Sequence, residues 1–255
     1  MKLFYQERGE GFPIIILHGL MGMSDNWATV GSRLSGRHRV VMVDLRNHGR
    51  SPHEDEMDMD TLTQDILDLM DDLLLEKSVV MGHSLGGKVA MNLALKFPSR
   101  VQALVVVDIG PRAYPPHHGP ILDALEKVPL ASIQRRQEAE EILAEAGLPA
   151  DVRQFLLKSL VRDEAGHFRW RFNLQAIRKN LPYVGAATPT HLVFSGPALF
   201  IKGSKSDYLN DEDALLISRL FPKASLAVIP DAGHWVHADA PEPFLQALEG
   251  FLLTV

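Results

Sequence analysis

Short apolar runs rich in β-branched residues recur along the chain at 14–17, 40–43, 78–81, 101–107, 198–201 and 226–229. Runs of this length without polar alternation read as strands buried on both faces, which requires a sheet carrying helices on each side. Helical patterns separate most of them. Met59, Leu62, Ile66, Leu69 and Leu73 make one apolar stripe with Asp65, Asp68 and Asp72 opposite, and Thr61 followed by Gln64 reads as a capping box at its start. A second helix is expected over 85–97, stopped by Pro98, and a last one over 241–253 with Pro241 in its first turn. Such alternation implies an α/β fold with a mainly parallel sheet and helices on both faces. The opening stretch MKLFYQ can add an edge strand.

The alternation breaks once. Between Asp108 and Pro197 there is no good buried strand, only a proline-rich entry (Pro111, Pro115, Pro116, Pro120) and helical patterns near 121–127, 131–146 and 150–161, with a mixed segment ending near Tyr183. A stretch of roughly 85 residues is too long for a plain crossover. It reads as a helical cap, 111–189, inserted in a core made of 1–110 and 190–255, and lying over the carboxyl edge of the sheet, where open α/β sheets bind ligands.

The chain's 255 residues, 46% hydrophobic, are enough for one α/β domain with an insertion. A net charge of -6 argues against a nucleic-acid surface, which needs clustered Lys and Arg. Zero cysteines remove disulfides, a thiolate nucleophile and cysteine metal sites together. The N-terminus has no apolar core of signal-peptide length, and no apolar run approaches the ~18 residues of a membrane span, so a cytoplasmic location is expected.

Residues 79–95 carry two overlapping motifs at a strand-to-helix junction. Gly82, Gly87 and Lys88 fit GxxxxGK, a phosphate loop; Gly82, Ser84 and Gly86 fit GxSxG, a turn that raises a nucleophilic serine. The phosphate loop wants Ser or Thr next, and Val89 is there instead. Chain order favours the serine. His18-Gly19-Leu20 follows the first buried run, where a backbone donor is needed, and His234 follows the last run, where a general base is needed. The expected site is therefore Ser84 as nucleophile, His234 as base, and the N–H groups of Leu20 and Leu85 as oxyanion hole. His83, next to the nucleophile, reads as structural. His117, His118, His234 and His237 lack the carboxylate context of a metal site, and the chemistry needs no metal and no cofactor.

The segments LHGLMG (17–22), DLRNHGRSP (44–52), GHSLGG (82–87), LVVVDIGP (104–111) and AGHWVHADAP (232–241) together resemble the α/β-hydrolase superfamily, and within it the capped serine esterases of the YbfF type. The resemblance implies hydrolysis of carboxylic esters, with acyl-CoA thioesters as further substrates; Arg169 or Arg171 could then meet a CoA phosphate. Members with the same triad cleave lactones or carbon–carbon bonds or act as perhydrolases, and a non-catalytic ligand-binding member is the other reading. The usual triad acid lies three residues after the glycine ending the penultimate strand, but Gly203 plus three is Ser206. Asp207 is displaced by one; Asp108, at the end of the neighbouring strand, is the alternative superfamily position and is favoured. Leu156, Trp170, Phe172 and Tyr183 are expected to shape the acyl pocket.

Overall fold

The computed structural model describes residues 1–255. The first part of the chain builds β1 (Tyr5–Arg8), β2 (Phe12–Leu17), α1 (Ala28–Leu34), β3 (His38–Val43), α2 (Met59–Asp72), β4 (Ser78–His83), α3 (Leu85–Lys96) and β5 (Val101–Val107). Next come α4 (Gly119–Glu126), α5 (Arg136–Glu145), α6 (Ala150–Leu157), a hairpin of β6 (Leu160–Arg162) and β7 (Phe168–Trp170), and α7 (Leu174–Val184), none joining the main sheet. The chain then returns through β8 (Ala198–Gly203), α8 (Asp211–Leu220), β9 (Ala224–Ile229), the short α9 (Val236–Asp239) and α10 (Pro241–Leu252).

The sheet has seven strands in the order β1-β3-β2-β4-β5-β8-β9. Only β1 is antiparallel, pairing Tyr5 with Val43 at the edge. Successive side chains of each strand go to opposite faces, and the two faces collect different helices. Ile15, Leu17, Val41, Leu104 and Val106 pack with α2 and α3, whereas Ile14, Ile16, Val40, Met42 and Val105 pack with α1 and α10. This parallel arrangement leaves β2, β3, β4, β5, β8 and β9 ending on the same edge, which is where the chemistry-bearing residues gather.

Several expectations are corrected. The cap of α2 is Asp58, whose carboxylate accepts the Thr61 N–H at 2.7 Å; Thr61 lies inside the helix. Asp65 is on no wet face: it is 2% exposed and accepts from Arg46 Nε at 2.6 Å and Nη2 at 2.9 Å. The insertion does contain strands. The helix expected to reach 161 stops at Leu157, and a short hairpin follows because Gly166 turns at φ 86 while the Asp163 carboxylate accepts the His167 N–H. The mixed segment is α7, capped by Asn173 and carrying Pro182 within it, the residue that obscured its pattern. The expected strand at 226–229 is an outermost strand, with Leu226 60% and Val228 52% exposed rather than buried. No helix is long and apolar enough to cross a membrane.

The Arg46–Asp65 pair locks the loop after β3 onto α2. Removing one partner of a buried pair strands the other charge, at a cost of about 3–5 kcal/mol. Arg46→Met is expected to lower unfolding stability by that order in urea denaturation, whereas Asp55→Asn, in the exposed Lys179–Asp55 pair, should change it by less than about 1 kcal/mol.

Candidate active site

Ser84 stands between the last residue of β4 and the first of α3, at φ 52 and ψ −115. A non-glycine residue rarely adopts this conformation, and the surroundings hold it there. Its N–H donates to Val107 O at 3.0 Å, its carbonyl accepts the Lys88 N–H at 3.0 Å, and the Gly86 N–H donates to His18 O at 3.1 Å. A Cβ on Gly82 would strike the Gly86 backbone, and a Cβ on Gly86 would strike the carbonyls of Leu17 and His18. The glycine spacing is thus a clearance requirement between this turn and the end of β2. The bend lifts the half-buried Ser84 side chain into a cavity, where its hydroxyl makes no hydrogen bond to protein.

His234, in the loop after β9, lines the same cavity. Its Nδ1–H donates to Asp108 Oδ2 at 2.8 Å. Asp108 follows β5, is fully buried, and has φ 51; its Oδ1 accepts the Gly203 N–H at 3.1 Å and its Oδ2 also accepts the Ser206 hydroxyl. Asp207 is exposed and has no hydrogen bond to His234. Tyr208 stacks on the imidazole, with centroids 3.9 Å apart and planes 19° from parallel. His83 Nε2–H donates to the His234 carbonyl at 2.8 Å, so this buried ring fixes the loop and is no base. Burial, with His234 and His237 adjacent, holds its pKa well below the ordinary value.

The N–H groups of Leu20 and Leu85 donate to no protein acceptor. Leu85 opens α3, where the helix leaves its first N–H groups free. Leu20 is set by His18, whose Nδ1–H donates to Gly19 O at 2.8 Å and whose Nε2 accepts the Leu45 N–H at 3.0 Å. Both contacts require a neutral imidazole.

The cavity around Ser84 has two branches. The larger, about 250 Å³, runs between the sheet edge and the insertion, past Met21, Ile121, Val152, Phe155, Leu156 and Trp235, and contains His234. The smaller, about 40 Å³, passes Leu85, Lys88, Ile109, Tyr114, Leu181 and Val184.

The α/β hydrolase family profile matches residues 14–247. The chain belongs to the α/β hydrolase family. Within the family, it is 39% identical over 97% of its length, and 80% of the relative's, to the sn-1-specific diacylglycerol lipase ABHD11 of Danio rerio. It is 36% identical to Esterase YbfF of Escherichia coli strain K12, covering 97% of this chain and 95% of the relative. A solved marine microorganism esterase superposes with a TM-score of 0.94 at 38% identity, covering 98% of this chain and 99% of that one.

In this hydrolase the structure brings Ser84, His234, Asp108, Leu20 and Leu85 to one edge and leaves Asp207 outside. Of the residues expected to shape the pocket only Leu156 lines it. Trp170 and Phe172 stack on each other inside the insertion at 5.4 Å, and Tyr183 is 57% exposed. Arg171 is committed to Asp25 at 3.1 Å, joining insertion to core. Ser206 and Tyr208 were not anticipated as neighbours of His234. The signal for Ser206 was its place three residues after Gly203, where a hydroxyl now serves the acid from the strand beside it.

Beneath the site two further imidazoles are held neutral. Burial pushes His18 down to about 4, and burial with the adjacent His18 pushes His48 down to about 3. The unfolded chain takes up these protons near pH 6.5, whereas the native protein refuses them until about pH 4. Their contribution is therefore complete above pH 6.5 and lost as pH falls through 6.5 toward 4. Unfolding free energies from urea denaturation at pH 7.5, 5.5 and 4.5 should fall by about a few kcal/mol in total, with a shallower slope in His48→Phe.

Proposed function

We propose that this hydrolase cleaves carboxylic esters through an acyl-enzyme on Ser84, with His234 as base and Asp108 as the acid that orients it. The observation that carries this reading is the Asp108–His234 hydrogen bond, which turns the imidazole's other nitrogen toward the cavity that holds the Ser84 hydroxyl. The esterase and lipase names of the relatives support the bond class.

A free serine hydroxyl is too weak a nucleophile at neutral pH, so attack on the ester carbonyl requires His234 Nε2 to take its proton as the bond forms. Apo hydrogen bonds of this kind are often long and tighten when substrate is bound. Asp108 holds the Nδ1–H tautomer and stabilises the imidazolium. The negative charge on the former carbonyl oxygen falls to the Leu20 and Leu85 N–H groups, helped by the positive end of α3. When the tetrahedral intermediate collapses, the leaving alcohol takes the proton from His234. Water then attacks the acyl-serine, His234 accepts its proton, and the acid departs with Ser84 restored. A thioester carbonyl can undergo the same attack with a thiol leaving in place of the alcohol.

Initial rates on p-nitrophenyl esters and acyl-CoA thioesters of graded length test this. Ser84→Ala should lose at least about 10⁴-fold in kcat. Asp108→Asn should lose about 10⁴-fold with its fold intact, because Asn presents the wrong tautomer partner. Asp207→Asn should stay within about threefold. The reading fails should Asp108→Asn keep most turnover. Ser206→Ala, which removes one hydrogen bond to a charged group, should cost about tenfold, or roughly 1.5 kcal/mol.

A further inference from the structure

Lys88 is a charged side chain with almost nothing to satisfy it. It lies one turn beyond Ser84 on α3, is 1% exposed, and lines the smaller cavity branch. An ammonium has three N–H donors. Lys88 Nζ donates to a single protein acceptor, the Arg112 carbonyl, and sits 4.9 Å from the Tyr114 ring centroid. No carboxylate forms a salt bridge with it. The nearby, fully buried Asp213 places its Oδ2 on Arg112 Nε at 3.2 Å and on the Asn210 N–H at 3.1 Å, and its Oδ1, though unpartnered, makes no salt bridge with Lys88. Asp108 has its oxygens on Gly203, Ser206 and His234. Burial pushes the Lys88 amine down to about 7, with the Asp213 carboxylate pulling the other way and the Arg112 guanidinium adding to the fall. A buried cation is ordinarily paired.

The two branches have different jobs in an ester hydrolase. The leaving oxygen must receive its proton from His234, and His234 lines the larger branch only. The alcohol part of the ester therefore occupies the larger branch, leaving the acyl chain to the smaller one, which Leu85 and Lys88 both line. Its volume of about 40 Å³ has room for roughly three to five non-hydrogen atoms beyond the carbonyl.

We infer that the branch lined by Lys88 is an acyl subsite for short chains that carry a terminal carboxylate, so that half-esters of small dicarboxylic acids are preferred over neutral esters of the same shape. The carboxylate supplies the acceptors that Lys88 lacks and the counter-charge that raises its pKa. Tyr114, His117, His118 and Tyr208 complete the walls with rings. This inference rests on the Ser84 esterase reading and adds the class of acyl group to it.

Monomethyl succinate and methyl 4-methylpentanoate have the same shape, one ending in a carboxylate and the other in two methyls. The wild-type protein should favour the half-ester in kcat/KM by at least tenfold, and Lys88→Met should reduce that ratio by at least tenfold. A ratio unchanged by the substitution would assign Lys88 to tethering the Arg112 carbonyl and overturn the inference. Should Lys88→Met fail to fold, competition against p-nitrophenyl acetate in the wild type decides: the half-ester must inhibit at a concentration at least tenfold below its isostere, and equal inhibition overturns the inference. Ser84-dependent p-nitrophenyl acetate hydrolysis without a half-ester preference sinks the subsite alone. Absence of that hydrolysis sinks the esterase reading and the subsite with it.

Discussion

A left-handed backbone at a residue that is not glycine is the constraint on which the site depends. Ser84 can stand at φ 52 only because β4 is buried between β2 and β5, and because Gly82 and Gly86 keep carbonyls and Cβ atoms out of each other's way. Such conformations cost on the order of 1–3 kcal/mol each. The chain spends them together. Of the six non-glycine residues with positive φ, five, Met21, Asn47, Ser84, Asp108 and Asp231, follow the ends of parallel strands along the single edge where the cavity opens, and Leu74, after α2, is the exception. A sheet core packed on both faces supplies the stability against which this strain is set, so the scaffold and the site are one energetic arrangement.

The same edge assembles groups that are distant in sequence. Asp108 leaves β5 and His234 follows β9, two strands away, and β8 between them contributes the Gly203 N–H and the Ser206 hydroxyl that fill the remaining positions on the carboxylate. A second set of contacts works below the surface: His18 and His83 are held neutral by burial and use their ring nitrogens as fixed donors and acceptors that aim the loops carrying Leu20 and His234, while His48 Nδ1–H donates to the Arg46 carbonyl in the loop after β3. Neutral buried imidazoles give geometry without a competing charge beside the base, at the expense of acid stability.

What could be read in the sequence follows the range of the forces involved. Local sterics and strand burial are written in short windows, so the sheet, the Ser84 turn, α3 and the gathering of Ser84, Asp108 and His234 at one edge were legible, as was Asp108 rather than Asp207 as the carboxylate beside His234. Elements stabilised by tertiary packing were not. The hairpin at 160–170 and α7 depend on packing inside the insertion, and Pro182 hid the helical period. Exposure at β9 depends on strand order, which no window contains. Lys88 shows the limit most clearly: GxxxxGK suggested a phosphate contact, yet α3 turns its amine inward to a small cavity beneath the cap entry, away from any nest of backbone N–H groups.

The central claim is that a single hydroxyl, raised by the turn at residue 84 and served by His234, is the reactive nucleophile. Intact-mass and peptide-mass measurement after reaction with a fluorophosphonate tests it directly. The account predicts one adduct per chain, on the peptide holding Ser84, formed at a rate that drops steeply in His234→Ala. An adduct on another residue, or labelling of Ser84 at the same rate without His234, would contradict it.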